Sequence, residues 1–262
     1  SVVSLVRLPS CGQTEAGGMK RAHYDTLAAH DLNYWWFRTR HDVVLRMLAA
    51  RRRSGLLVDI GCGTGGFLRR CLDDGVRGAS QVHGLDVDAA SIAVATERGV
   101  PASIMSGGEP TLMDIPAAAD AMTTLDVLEH LDDPVSMLRS MRAIASPGCV
   151  LVALVPAMKS LWSSWDDRLS HRRRYDRRML QFQIAEAGWT VQQVRYLFPS
   201  MVIPGILRAR LLRADKLPTD EFPSVSGWAN WTLHAWTSME ARFPGWPLGS
   251  SLAVVATNPS HA

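Results

Sequence analysis

Between residues 56 and 155, short apolar runs alternate with longer stretches whose apolar positions recur at helical spacing. The runs are Leu56 to Ile60, Val82 to Asp86, Ala102 to Met105, Ala119 to Leu125 and Cys149 to Val155. Continuous apolar runs of this length, bounded by turn residues, predict strands buried on both faces. The stretches between them predict helices from Gly65 to Asp73, Ala89 to Arg98 and Pro134 to Ile144, and Pro147-Gly148 reads as a turn before the fifth run. Strands alternating with helices imply a doubly wound α/β fold with a mostly parallel sheet and right-handed crossovers. Pro156 to Ser170 reads as irregular, and Asp176 to Ala187 as a helix stopped by Gly188. Val191 to Leu197 and Ser251 to Ala256 complete a count of seven strands.

Two flanking segments do not follow this pattern. Residues His23 to Arg53 read as helical, with Val43, Val44, Met47 and Leu48 on one face. The preceding cluster Tyr34-Trp35-Trp36-Phe37 would point all round a helix, so packing alone explains it poorly. Residues 198–249 separate the last two strands and are both basic (Arg208, Arg210, Arg213) and rich in tryptophan (Trp228, Trp231, Trp236, Trp246). Trp228 and Trp231 with Asn230 make no clean stripe. The expected organisation is an extension over 1–22, a helical lid over 23–53, an α/β core over 54–197, a lid or interface insertion over 198–249, and a final strand and tail over 250–262.

The chemistry concentrates after the first strand, in Asp59-Ile60-Gly61-Cys62-Gly63-Thr64-Gly65. Alternate glycines let the backbone turn sharply and approach a ligand. Asp86 ends the second strand, where its carboxylate can accept both hydrogen bonds of a ribose diol. The arrangement predicts a nucleoside cofactor beyond the carboxyl ends of the strands. Gly61, Gly63 and Gly66 also satisfy G-x-G-x-x-G, so a dinucleotide is formally allowed. Asp59 argues against it, because a carboxylate there suits a cationic group and repels a pyrophosphate. No Tyr-x-x-x-Lys pair or other hydride-transfer constellation follows downstream.

With Asp126-Val127-Leu128-Glu129-His130 after the fourth strand, the chain resembles the class I S-adenosylmethionine (SAM) methyltransferases over roughly Tyr24 to Ala256. The resemblance implies a Rossmann-like, seven-stranded sheet with an antiparallel last strand and a helical substrate lid. It implies SAM as methyl donor and S-adenosylhomocysteine as product. Asp59 would lie near the amino group of the methionine portion, Gly61, Cys62, Gly63 and Gly65 would bind the cofactor along the loop, Asp86 would hold the ribose, and Val87, Ser106 and Gly107 the adenine, with Asp126 closing the methionine side. Ser106-Gly107-Gly108 departs from the acidic residue many members place against the adenine amino group. A second likeness, to a subgroup with His-x-Arg-Arg-Tyr, falls on His171 to Tyr175. His130 and His171 are the candidates for the catalytic base or for orienting the acceptor. Tyr24, Trp35, Trp36 and Arg173 are candidates for contacting substrate. An alternative is that Glu129 and His130 only shape their loop, and that Asp166, Asp167 and the arginines pair with one another.

Composition narrows the field without naming an acceptor. The net charge of +3 over 262 residues does not suggest nucleic acid. Cys11, Cys62, Cys71 and Cys149 show neither pairing nor metal-ligand spacing, which fits a reducing, cytoplasmic setting, and no metal is expected. No run approaches the ~20 apolar residues of a membrane span. The Trp- and Arg-bearing insertion allows peripheral membrane contact or a homodimer. The expected activity is methyl transfer to a small molecule, with a hydroxyl of a metabolite, glycan or lipid precursor as acceptor. The alternatives are nitrogen or carbon methylation of a secondary metabolite, an NAD(P)-dependent oxidoreductase, and a non-catalytic SAM-binding protein.

Overall fold

The computed structural model describes residues 29–51, 54–211, 224–243 and 245–259. Tyr24, Cys11, Arg213 and the expected N-terminal extension lie outside them. The core is one seven-stranded sheet: β1 (Leu57–Ile60), β2 (Val82–Asp86), β3 (Ala102–Ile104), β4 (Ala119–Leu125), β5 (Ala145–Pro156), β6 (Thr190–Leu197) and β7 (Ser251–Thr257). Its spatial order is β3-β2-β1-β4-β5-β7-β6, and only β7 runs antiparallel to its neighbours.

The helices are α1 (Trp35–Ala49), α2 (Gly66–Asp73), α3 (Ala89–Glu97), α4 (Pro134–Ala143), α5 (Ser164–Arg168), α6 (Arg177–Glu186), α7 (Val202–Leu211) and α8 (Gly227–Glu240). The five inner strands bury both faces because their apolar residues alternate between two cores. Val58, Ile60, Leu85, Met122 and Leu151 join α4 and α6 on one side. Leu57, Val82, Val150 and Val152 join α1 and α2 on the other.

Helix starts follow local chemistry. Asp133 accepts hydrogen bonds from the amides of Val135 and Ser136, both 3.0 Å, and Pro134 supplies the preset φ of a first helical residue. Asp88 and Asp176 cap α3 and α6 in the same way.

The structure departs from the sequence expectation at three places. Pro147-Gly148 lies inside β5, where the pairing with β4 jumps from Ala119–Ala145 to Ala121–Val150. The irregular segment after β5 contains the five-residue helix α5, opened by Ser163, whose hydroxyl accepts from the Trp165 amide. Third, α8 does present a stripe. Trp228, Trp231, Trp236 and Met239 are exposed, whereas Thr237 and Glu240 are buried. Its polar face is the inward one, docked on α1. Asn230 Oδ1 accepts from the Trp35 amide at 2.7 Å, Thr237 and Thr39 hydroxyls meet at 2.8 Å, and His234 meets Asp42 at 2.8 Å. The two segments expected as separate lids therefore form one helical layer. A dimer or membrane contact by this segment would use the outward indoles.

Candidate functional site

The register places Ile60 beside both Leu85 and Thr124, so the carboxyl ends of β1, β2 and β4 lie side by side. Strand order reverses between β1 and β4, which opens the crevice where open α/β sheets bind ligands. The glycine loop crosses this edge with Gly61, Gly63 and Gly65 all at positive φ, between 52° and 76°. A Cβ at Gly61 would stand 2.3 Å from a Val127 methyl, so only glycine lets β1 and the β4 exit meet. A Cβ at Gly65 would meet Ala95 of α3 at 2.9 Å, which makes that glycine a helix-packing residue.

Two carboxylates support the loop. Asp86 accepts from the Gly63 amide at 2.8 Å and from the Asp88 amide at 3.0 Å. Burial nevertheless raises its pKa. Asp59 lies 3% exposed at the end of β1 and accepts from the Thr123 hydroxyl at 2.6 Å. Burial, with the negative charge of Asp86 adding to it, pushes Asp59 up to about 7 against the effect of that hydrogen bond. A buried carboxyl short of a cation is suited to receive one.

At the end of β4 the chain turns through Asp126, a non-glycine residue at φ 58°. Its carboxylate is engaged by Arg40 of α1, which also donates to Ser251 at 3.2 Å. Glu129 follows, with 0% exposure and both carboxylate oxygens buried without a hydrogen-bond partner. Burial, then repulsion from Asp126, holds its pKa well above the usual carboxylate range.

The loop carrying Glu129 and His130 is held by the segment after α5. The Arg172 amide donates to the Glu129 carbonyl at 2.8 Å, and Arg172 Nε to the His130 carbonyl at 2.9 Å. Arg173 donates to the carbonyls of Leu131 (2.6 Å) and Asp132 (3.3 Å), and the Tyr175 hydroxyl to Leu128 (3.1 Å). This clamp brings the His130 and His171 rings to 4.8 Å between centroids, in an edge-to-face arrangement. His171 is fixed from behind by Asp166, whose Oδ1 accepts from Nδ1 at 2.9 Å. Asp166 is fully buried, and although burial opposes it, hydrogen bonds from His171 and Arg174 hold its pKa down to about 2. The carboxylate is thus acceptor-only, and His171 must carry its proton on Nδ1.

The structure brings together Asp59, Gly61, Gly63, Asp86 and Val87 at one sheet edge, with Asp126, His130 and His171 beside them. Val87 is 58% exposed at the mouth, and Ser106 and Gly107 form an exposed turn after β3. The Cys62 side chain turns into the sheet, where a Cβ at Gly84 would touch its sulfur at 2.6 Å, so only its backbone faces the crevice. Trp36 packs on Phe198 and under Arg40, and Trp35 lies between Tyr34 and Trp36. Arg173, a candidate for contacting substrate, holds the Leu131 and Asp132 carbonyls with its guanidinium.

Sequence reasoning missed Arg40, Asp31 and Thr123. Asp31 accepts from Thr64 (2.5 Å) and Arg98 (2.7 Å) and so ties the N-terminal segment to the glycine loop. Thr123 carried a signal: it is a polar residue in a strand otherwise read as buried. Arg40 and Asp31 carried none, because their partners are distant in sequence.

Comparison with known proteins agrees with this geometry. A family described as a methyltransferase domain matches residues 29–194. The ubiquinone biosynthesis O-methyltransferase of Pseudomonas aeruginosa PAO1 is 36% identical over 129 residues, covering 44% of this chain and 54% of the relative. That of Chromobacterium violaceum is 33% identical over the same shares. The chain thus spans about half the length of the curated relatives it matches. Among solved structures, a Haloferax volcanii methyltransferase in complex with the Trm112 activator superposes with a TM-score of 0.57 at 19% identity, covering 92% of this chain and 98% of that one. A SAM-dependent methyltransferase of Thermotoga maritima gives 0.53 at 16%, covering 90% and 99%. The matched domain, the sheet order and the acidic glycine loop lead to one conclusion: the chain belongs to the methyltransferase-domain family.

Proposed function

We propose that this enzyme methylates a hydroxyl group of a small molecule. The observation that carries this reading is the pairing of His130 with His171 beside the buried Glu129, at the strand end that adjoins the glycine loop. A hydroxyl must lose its proton on methylation, and these groups form a polar, proton-handling wall where the acceptor would stand. An amine that is already neutral can attack before it loses a proton and so depends less on such a wall. The ubiquinone O-methyltransferase names of the sequence relatives support an oxygen acceptor.

In this reading Asp59 faces the amino group of the methionine portion of SAM. Asp86 takes the ribose hydroxyls and Val87 flanks the adenine beside the Ser106-Gly107 turn. The backbone of Gly61 to Gly65 lies along the donor. The O–CH3 bond forms as the S–CH3 bond breaks, its electron pair passes to sulfur, and the sulfonium becomes the thioether of S-adenosylhomocysteine. The hydroxyl proton leaves on the His130–His171 side. Collinear placement of oxygen, methyl carbon and sulfur contributes much of the rate.

The test is methylation with labelled SAM against matched acceptors that differ only in hydroxyl or amine. Labelled hydroxyl product, reduced in His130→Ala and His171→Ala, is expected. Transfer to the amine alone, with the histidine variants at wild-type rate, would overturn the reading.

A further inference from the structure

We propose that Glu129, His130 and His171 bind one divalent transition-metal ion, which holds the acceptor oxygen. Among the described residues, these three each offer a ligand atom, and the atoms lie within 4.8 Å of one another. Two of them are adjacent in sequence and the third is 41 positions away, so only the fold, through the Arg172–Tyr175 clamp, makes the group visible.

Three independent observations point to a cation. The first is Glu129, whose two oxygens are buried with no hydrogen-bond partner. Folding seldom leaves a carboxyl so unsatisfied unless something else completes it. The second is the His171 ring. Its Nδ1 donates to the buried Asp166, which leaves the Nε2 lone pair as the one offered to a metal. A carboxylate behind an imidazole in this way orients a metal-ligating histidine and raises its basicity. The third is position: Glu129 and His130 follow β4 at the crevice edge, one loop away from the glycine turn, with Val127 packed on Gly61, and His171 meets His130 there. Arg40 and Arg174 are cations whose charge acts on Glu129, but they are bound to Asp126 and Asp166 respectively. Neither closes on Glu129.

Two imidazoles and one carboxylate form a borderline donor set. It suits Zn²⁺, Mn²⁺ or Fe²⁺ over the all-oxygen preference of Mg²⁺ or Ca²⁺. Metal–donor distances of about 2.1 Å place donors a little closer together than 4.8 Å, within reach of side-chain rotation. Three protein ligands leave coordination positions open, as a catalytic metal site requires. An acceptor hydroxyl taking one of these positions would lose its proton to solvent more readily, and the resulting metal-held oxyanion would attack the methyl group. The histidines then act as ligands and not as bases. This catalytic use rests on the hydroxyl reading above; the binding of the ion does not.

The experiment uses the full chain, stripped with a chelator and then titrated calorimetrically with Zn²⁺, Mn²⁺ and Mg²⁺, with metal content checked by elemental analysis. One equivalent of Zn²⁺ or Mn²⁺ should bind far more tightly than Mg²⁺. Binding should vanish in Glu129→Gln, which keeps the buried shape without the anion. It should weaken about 10–100-fold in Asp166→Asn, which removes the charge behind His171. Should Asp166→Asn fail to fold, His130→Ala, altered at a partly exposed ring, carries the same comparison. A stripped wild type that takes up no transition metal, or a Glu129→Gln variant that binds as wild type does, overturns the proposal. SAM binding, measured on the stripped wild type, reports on the methyltransferase reading separately.

Discussion

Asp59 shows how a single residue can couple cofactor binding to pH. Burial raises its pKa to about 7, so the folded chain favours the neutral carboxyl. Its contribution to stability is therefore full below the unfolded value near 3.8 and is lost as pH rises through about 7. The ammonium of SAM reverses this preference. Between pH 6 and 8, by this mechanism, the free enzyme should melt progressively lower while SAM binds progressively tighter (about these limits, from the linkage of one carboxyl). Asp59→Asn should flatten both trends, measured by thermal melts and calorimetry across that range; parallel trends in the variant would show that another group is responsible. Asp86→Ala should weaken SAM binding by about 1–3 kcal/mol, through loss of hydrogen bonds to a charged acceptor. At this scale the glycines and Asp59, Asp86 and His130 were legible because their motif spacing is local. Arg40 was not, because its partner Asp126 is 86 positions away, and Asp166 looked like one member of a surface charge run.

Elements were legible in proportion to their length and periodicity. The parallel strands announced themselves as apolar runs. The five-residue α5 is too short to show a period, and the Pro147-Gly148 irregularity of β5 imitates a turn. In α8 the apolar positions do fall on one side, but the reading that apolar means inward would dock it the wrong way round. Its inward face instead makes hydrogen bonds to α1. Replacing Trp228 and Trp231 together by serine should therefore change stability by only about 0.5 kcal/mol per site in urea melts. A large loss would show that these indoles are covered in solution. The opposite is expected of Tyr175, which is fully buried with its hydroxyl on the Leu128 carbonyl. Tyr175→Phe leaves that carbonyl without its partner and should cost about 1–3 kcal/mol. It should also slow methyl transfer more than it weakens SAM binding, because the loop it holds carries Glu129 and His130 and not the glycine turn.

Taken whole, the molecule is an α/β sheet with one helical layer spanning its N-terminal segment and its insertion, latched to the sheet edge by Arg40 on Asp126 and Asp31 on Thr64. Residues 29–51 and 224–240 should therefore respond to ligand as a unit. Hydrogen exchange with S-adenosylhomocysteine should slow in α1 and α8 together as well as in the glycine loop. Protection confined to residues 58–133 would show that the layer does not close on the cofactor. No helix among the described residues is long and apolar enough to cross a membrane.

The place of β7 has a consequence for how the chain is made. The strand that follows the other six in sequence is not an edge: it lies between β5 and β6 and is almost wholly buried. Until it arrives, β5 presents a long row of unpaired amides and carbonyls on an apolar strand, the kind of surface that pairs with other chains. The sheet therefore cannot close until residues 251–257 have been made. The nascent enzyme must pass through a stage that is vulnerable to aggregation and to capture by chaperones. A chain cut before Ser251 would stay at that stage, with the glycine loop, the aspartates and the histidines all present in its sequence and no closed sheet to hold them.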